Sequence, residues 1–214
     1  PIIADVDPDT WTLDPKDVER KITSRTRAVI PVSICGLSPD MDPILNLAKK
    51  YNLMVIEDNA QCYLGYYKER VVGSMGNFSS FSFQGSKHMT CGEGGILLCE
   101  NKETAIKARK ASSLGFSTLT AEPGNSTIPK ELRCHPTFKR HTSYGHNFLL
   151  SELAISLALG EFERLDELVS MRQNVAKEFE RVIADCDWLI PQKTPKDHVH
   201  SFWTYAIRIS RNDI

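Results

Sequence analysis

A chain of 214 residues, 41% apolar and 25% charged, is long enough to bury one sizeable α/β core, and its length alone does not demand two domains. Its formal net charge of −1 gives no electrostatic case for nucleic acid or an anionic membrane surface, so neither is expected as a partner. Six cysteines (Cys35, Cys62, Cys91, Cys99, Cys134 and Cys186) occur without a C-x-x-C pair, which argues against a zinc ribbon or a redox dithiol and makes reduced, cytoplasmic thiols the default.

Nothing along the chain has the pattern of a signal peptide or a membrane span. The first apolar run, Ile2-Ile3-Ala4-Asp5-Val6, reads as a strand, and the last residues, Arg211-Asn212-Asp213-Ile214, hold an N-cap type with no helix after it. Both ends are therefore expected to be cuts within a longer protein. Asp14-Pro15 and Asp42-Pro43 each set a capping carboxylate before a proline, predicting helices over about 15–23 and 43–51. Ala28-Val29-Ile30-Pro31-Val32 and Leu53-Met54-Val55-Ile56 are apolar on both faces, as strands of a covered parallel sheet are. Strand, helix, strand, helix, strand is a doubly wound α/β order, which places ligands at the carboxyl ends of the strands. Asp58 stands at such an end.

The run Tyr66–Gly73 predicts a small exposed hairpin, followed by strands at Phe78–Phe83 and Gly95–Cys99 and a helix over about Lys102–Ser112. From Gly115 to Tyr144 the periodicity is lost, as in a functional loop or an interface segment. Phe148–Ile183 is strongly helical, with Gly160 as a possible bend. Its first half is apolar nearly all round, predicting burial, and Phe162, Leu165, Val169, Phe179 and Ile183 form one stripe in the second. Phe202–Ile209 alternates apolar and polar positions as a final strand, expected to belong to a further small domain.

The chemistry concentrates on Lys87. It closes Ser82-Phe83-Gln84-Gly85-Ser86-Lys87 and precedes Gly92-Glu93-Gly94-Gly95, while upstream an apolar strand ends in Glu57-Asp58. A lysine and an acid at the ends of two buried strands suit pyridoxal 5'-phosphate (PLP): the amine forms a Schiff base, a carboxylate keeps the pyridine nitrogen protonated, and hydroxyl and backbone donors hold the phosphate. A carboxylate beside that nitrogen turns the ring into an electron sink, and a lysine within reach of the reacting carbon is a suitable base.

In register along the whole chain, Val55-Ile56-Glu57-Asp58-Asn59-Ala60-Gln61, Ser82-Phe83-x-x-x-Lys87, Gly92-Glu93-Gly94-Gly95, Gly145-His146-Asn147 and Glu163-Arg164-Leu165 resemble the DegT/StrS-type sugar aminotransferases, fold-type-I PLP enzymes. The resemblance implies a three-layer α/β/α large domain with a mainly parallel sheet over residues 1–185, lacking its N-terminal part, and the start of a small C-terminal domain over 186–214. It implies Lys87 as the Schiff-base lysine and general acid/base, Asp58 on the pyridinium nitrogen, Gln61 on the ring or its phenolic oxygen, and Ser82 on the phosphate. Asn147 would reach the phosphate of the neighbouring subunit's cofactor in a homodimer. The implied reaction moves an amino group from glutamate or glutamine to a keto sugar nucleotide or a ketocyclitol. The family's Gly-Thr or Gly-Ser phosphate turn would lie before residue 1, and Phe148-Leu149 stands where relatives often carry a basic residue or Met. A related branch with His in place of the lysine carries out dehydration; the presence of Lys87 favours transamination.

Plainer readings stand beside these. Lys87 alone is a solvated surface lysine, Asp58 caps a helix after its strand, Asn147 caps a helix beginning at Phe148, and Gln61 and Ser82 satisfy loop backbone. Glu93 is a turn carboxylate. His198 and His200 lack a third ligand, so no metal is expected. A non-catalytic homologue that kept the fold is the alternative outside enzymes. A plain dinucleotide-binding module is disfavoured by the lack of G-x-G-x-x-G after the early strands.

Overall fold

The structure, a computed structural model, describes residues 1–119 and 129–211. It divides into two compact units, Pro1–Leu97 with Leu153–Ile214, and Leu98–Glu152. The predicted strand at Ile2–Val6 is not formed: only Val6 makes a bridge, to Leu13, and Ile2 and Ile3 lie exposed. Helix α1 (Pro15–Lys21) starts as its sequence requires, with the Asp14 carboxylate accepting from Lys16 N–H at 2.9 Å and proline in the first turn.

Strand β1 (Ala28–Val29) leads through a short 3₁₀ turn, Ile34–Gly36, to helix α2 (Met41–Tyr51). This helix begins earlier than Asp42-Pro43 suggests. Its N-cap is Asp40, and Asp42, inside the first turn, pairs with Lys68 and Arg70. The reason lies in Tyr67, whose hydroxyl donates to Asp40 at 2.6 Å and accepts from Asp42 N–H at 3.2 Å, tying the helix start to the hairpin. β2 (Met54–Asp58) follows, then β3 (Tyr66–Tyr67) and β4 (Arg70–Val71), which form the predicted antiparallel hairpin. The hairpin is not wholly exposed, because Tyr67 is buried in the core with Met41, Ile44, Ala48, Leu53 and Val55.

β5 (Phe78–Ser82) and β6 (Gly95–Cys99) complete a four-stranded sheet in the order β1-β2-β5-β6, with β1, β2 and β5 mutually parallel. Helix α3 (Lys102–Ser112) forms where predicted, capped by Asn101 Oδ1 accepting from Thr104 N–H at 3.0 Å. Residues 120–128 of the aperiodic stretch fall outside the described residues; its described part contains helix α4 (Lys130–Arg133).

The predicted long helix is two helices, α5 (Glu152–Phe162) and α6 (Leu165–Ile183). The break falls at Glu163-Arg164, not at Gly160, which stays helical. Expected burial of the first half is also overturned within this chain: Leu153, Ile155, Leu157 and Leu159 are exposed, and Ala158 alone of α5 is buried. A helix apolar on all sides is one covered on all sides, and this chain covers only one of them. There, Ala158 joins Leu165 and Val169 of α6 with Tyr63, Met89 and Cys91 in a second core cluster, which seats the segment carrying Lys87.

β7 (Leu189–Pro191) pairs antiparallel with β9 (Ile207–Ile209), and β8 (His198–Val199) pairs with β3. The last strand is thus shorter than the predicted Phe202–Ile209, because residues 202–206 form a turn held by polar contacts described below. No helix among the described residues is long and apolar enough to cross a membrane.

Candidate active site

Two neighbouring carboxylates end β2 and do different things. Glu57 is buried and accepts three backbone N–H bonds, from Gly73 (2.8 Å), Met75 (2.7 Å) and Gly76 (2.6 Å), so it pins the loop between the hairpin and β5. Asp58, half-buried, reaches the carboxyl edge of the sheet. No helix follows it, which removes the helix-cap reading; its Oδ1 accepts from Ala60 N–H at 3.1 Å in a tight turn. Asp58 backbone bonds splice the edge together, since its N–H donates to Pro31 and its carbonyl accepts from Ser33 N–H, both at 2.9 Å. On the other side Asp58 lies opposite Ser80 in register, and Asn59 N–H donates to the Ser80 carbonyl at 2.9 Å.

Gln61 follows one turn later. Its Oε1 accepts from Cys35 N–H at 2.7 Å, which holds Cys35 in a left-handed conformation (φ +60°) in the turn beyond β1. That satisfies backbone as the plainer reading has it, yet among the described residues leaves the Nε2 donors for another group. Ser82 closes β5, two residues past the pair to Asp58; its carbonyl accepts from Tyr63 OH at 2.8 Å and its hydroxyl oxygen accepts from Gln84 N–H at 3.3 Å.

Lys87 rides on a loop whose ends are zipped to β5. Phe83 N–H donates to Gly94 (2.9 Å) and Cys91 N–H to Phe83 (3.0 Å), and Gly92, at φ +89°, makes the left-handed bend that lets the chain return. Within the loop Lys87 N–H donates to the Gln84 carbonyl at 3.0 Å. Its neighbour His88 is buried. His88 Nε2 donates to the Ser201 carbonyl at 3.0 Å, and burial pushes the imidazole down to about 4, so it is neutral, with Nδ1 unpartnered among the described residues. The Lys87 amine makes no ion pair among the described residues and lies over the Trp203 ring, 4.6 Å from its centroid. Glu93 is exposed in its turn, as a turn carboxylate is.

Asp58, Gln61, Ser82 and Lys87 thus occupy the carboxyl ends of neighbouring strands, or the turns leaving them. Asn147 belongs to the Leu98–Glu152 unit and is described within it. Gly145 fits against the end of α3, where a Cβ would meet Gly115 N at 2.5 Å and Lys110 O at 2.7 Å, and Asn147 forms an antiparallel bridge with Ser113. Because α5 begins at Glu152, Asn147 caps no helix. Its side chain is exposed. His198 pairs with Asp197 and His200 with Gln192, and no cluster of potential metal ligands occurs among the described residues.

Residues that sequence reasoning did not single out also reach the site: Glu57 as a loop anchor, and Arg172 and Trp203 beside Lys87. No local pattern marks the last two, which lie in a surface-like helix and a turn far along the chain.

A mainly parallel α/β sheet carries a lysine, a carboxylate, an amide and a hydroxyl at the carboxyl ends of its strands or in the turns leaving them, where ligands of such sheets bind. Residues 1–214 match the DegT/DnrJ/EryC1/StrS aminotransferase family along their whole length, and the chain belongs to it. It is 32% identical to the GDP-perosamine synthase of Caulobacter vibrioides over 214 residues, covering 98% of this chain and 52% of that protein. It is also 32% identical to the spore coat polysaccharide biosynthesis protein SpsC of Bacillus subtilis over 209 residues, with 98% and 52% covered. Among solved structures, DesV of S. venezuelae in complex with a ketimine intermediate superposes with a TM-score of 0.84 at 27% identity, over 100% of this chain and 53% of that one. The chain spans about half the length of the curated relatives it matches.

Proposed function

We propose that the protein is a PLP-dependent sugar aminotransferase that moves an amino group from glutamate or glutamine to a keto sugar nucleotide or a ketocyclitol. The observation that carries this reading is the Lys87 amine, free of any ion pair among the described residues, on the loop after β5, while Asp58 ends the adjacent parallel strand. The donor set fits PLP. Asp58 Oδ2 has no hydrogen-bond partner among the described residues and suits a protonated ring nitrogen, the Gln61 Nε2 donors suit the ring or its phenolic oxygen, and the Ser82 hydroxyl suits the phosphate. When bound, the cofactor supplies an electron sink for the charge left as a Cα–H bond breaks. The chain's own residues do the rest. An ionised Asp58 favours the charged pyridine nitrogen, Lys87 Nζ takes and returns the Cα proton, and the turn fixed by Gln61 keeps the edge rigid. Release of one product before the second substrate binds gives ping-pong kinetics.

His88 bears on the dehydratase alternative. Its ring is buried and bonded to the Ser201 carbonyl, whereas the Lys87 amine makes no ion pair among the described residues, which supports lysine as the group at the cofactor and favours transamination. We further propose that the protein is a cytoplasmic homodimer and that the exposed apolar faces of β6 and α5 are covered by the remainder of the protein or by the partner subunit. On this reading, residues 1–185 belong to the large domain, whose N-terminal part precedes Pro1, and 186–214 begin the small one. The test is to reduce the full-length protein, incubated with PLP, with borohydride and map the modified peptide. Label on Lys87, with loss of the visible-edge absorbance band, is expected; no incorporation would leave a non-catalytic homologue as the better reading.

The two adjacent carboxylates should separate by readout. In the full-length protein Asp58→Asn is expected to lower kcat/KM by roughly 10²–10³, the scale of removing one preorganised electrostatic contact, without moving the unfolding midpoint. Glu57→Ala should instead cost ~3 kcal/mol of stability or more, since each buried N–H left unpaired costs about 1–3 kcal/mol. Full activity in Asp58→Asn would reduce Asp58 to a turn residue, and an unshifted denaturation curve in Glu57→Ala would remove the anchor role.

A further inference from the structure

The Lys87 amine is placed by a turn that enters from the far end of the chain. Ser201 N–H donates to the Gly36 carbonyl at 2.9 Å and its hydroxyl donates to the same oxygen at 3.2 Å. Gly36 has φ +107°, and a Cβ there would lie 2.6 Å from Phe202 N and 2.8 Å from Trp203 N, so only glycine permits this approach. His200 stacks on Phe202 with 3.7 Å between ring centroids and accepts from Phe202 N–H through Nδ1 at 2.9 Å. Its Nε2 donates to Gln192 Oε1 at 3.0 Å, and burial pushes this imidazole down to about 3, so it is neutral and its two nitrogens have fixed roles. Phe202 is left in the left-handed region at φ +51°, a conformation that bulky residues keep only where the surroundings over-determine it.

What this pinned turn presents is Trp203. The indole Nε1 donates to the Ser86 carbonyl at 2.9 Å, and the ring lies under Lys87 Nζ. Arg172, on α6, closes the arrangement. Its Nη1 donates to the Trp203 carbonyl at 2.6 Å, and its Nη2 donates to the carbonyls of Ser86 at 3.2 Å and Lys87 at 3.1 Å. The next residue, Gln173, donates to the His200 carbonyl at 3.0 Å. Arg172 is therefore occupied by three backbone oxygens, a task for a planar fork of donors and not for a lysine.

We propose that Arg172 and Trp203 are positioning residues for Lys87: Arg172 locks the Ser86 and Lys87 carbonyls to that of Trp203, and the indole face so placed holds the lysine amine at one spot. The proposal rests on the reading of Lys87 as the residue that binds the cofactor. Lysine has a long flexible stem, and an unrestrained amine samples many positions. A carboxylate partner would fix it but would compete with the cofactor's aldehyde for the amine. An aromatic face orients the cation without offering it a donor or an acceptor, and lets go easily.

The test uses full-length apoprotein whose lysines are reductively methylated with ¹³C-formaldehyde, which keeps their charge. The Lys87 methyl resonance, assigned by its absence in Lys87→Arg, is expected upfield of the solvated lysines because of the indole ring current. Trp203→Leu should return it to the solvated position, Trp203→Phe should keep most of the displacement, and Arg172→Lys should lose part of it. In the PLP-loaded enzyme Trp203→Leu should lower kcat about tenfold, between the scales of an exposed and a desolvated cation–π contact, with KM nearly unchanged and partial rescue in Trp203→Phe. Should Arg172→Lys fail to fold, the two Trp203 variants carry the test. A wild-type Lys87 resonance at the solvated position, or one unmoved in Trp203→Leu, overturns the proposal, as does a shifted resonance with unchanged kcat. Failure of the underlying reading is seen separately, as absent borohydride label on Lys87 in the unmethylated protein.

Discussion

Full-length protein carrying Lys87→Ala is expected to fold normally and to have no measurable turnover. The side chain contributes one ring contact, to Trp203, while the loop is held by backbone groups that alanine retains: Lys87 N–H to Gln84, and the Lys87 carbonyl accepting from Arg172. Stability should therefore change by less than ~1 kcal/mol, as expected for a residue outside the apolar core. Activity should fall by ~10⁶ or to background, the scale on which removing an enzyme's nucleophile acts. No other lysine stands in this loop, and His88, buried and bonded to Ser201, cannot swing out without breaking the contact that seats its segment. The measurements are the absorbance of the PLP-loaded variant, single-turnover amino transfer from glutamate, and the thermal midpoint. A normal visible band with retained turnover would reject the assignment of Lys87 and with it the aminotransferase reading.

What could be read in the sequence was local, and what could not was long-range. The helix expected at about Lys102–Ser112 forms there, where Asn101 is a strong N-cap and nothing tertiary competes with it. The strand ending at Asp58 was legible because its apolar run stops at two acids, but the sequence does not say which acid faces the edge. The structure separates them through three N–H groups donated to Glu57 from Gly73, Met75 and Gly76. Asp42-Pro43 misled because a capping signal can be overridden by partners distant in sequence, here Tyr67, Lys68 and Arg70. Gly160 misled because a lone glycine with no crowding around it is tolerated within a helix. Arg172 contacts Lys87 across 85 positions, and His88 contacts Ser201 across 113. No periodicity encodes such pairs.

Asn147 provides a test of the proposed shared site. Within its own unit the residue follows Gly145, which is fitted to the end of α3, and is bridged to Ser113, so its backbone is set while its side chain is exposed. If that side chain donates to the cofactor phosphate of the neighbouring subunit, Asn147→Asp places a carboxylate against a dianion. Two unit charges about 4 Å apart repel by ~4 kcal/mol at the effective dielectric of a protein surface, enough to cut activity by about 10³. Asn147→Asp and Lys87→Ala homodimers should then both be nearly inactive. Mixing them with subunit exchange yields heterodimers in which one site carries both lesions and the other combines native Lys87 from one chain with native Asn147 from its partner. An isologous dimer has two equivalent sites, so activity should return to about half the wild-type value per heterodimer. If Asn147 served the cofactor of its own subunit, each heterodimer site would carry one lesion and activity would stay near zero. That outcome, with exchange verified and both variants folded and dimeric, would reduce Asn147 to a residue of its own unit.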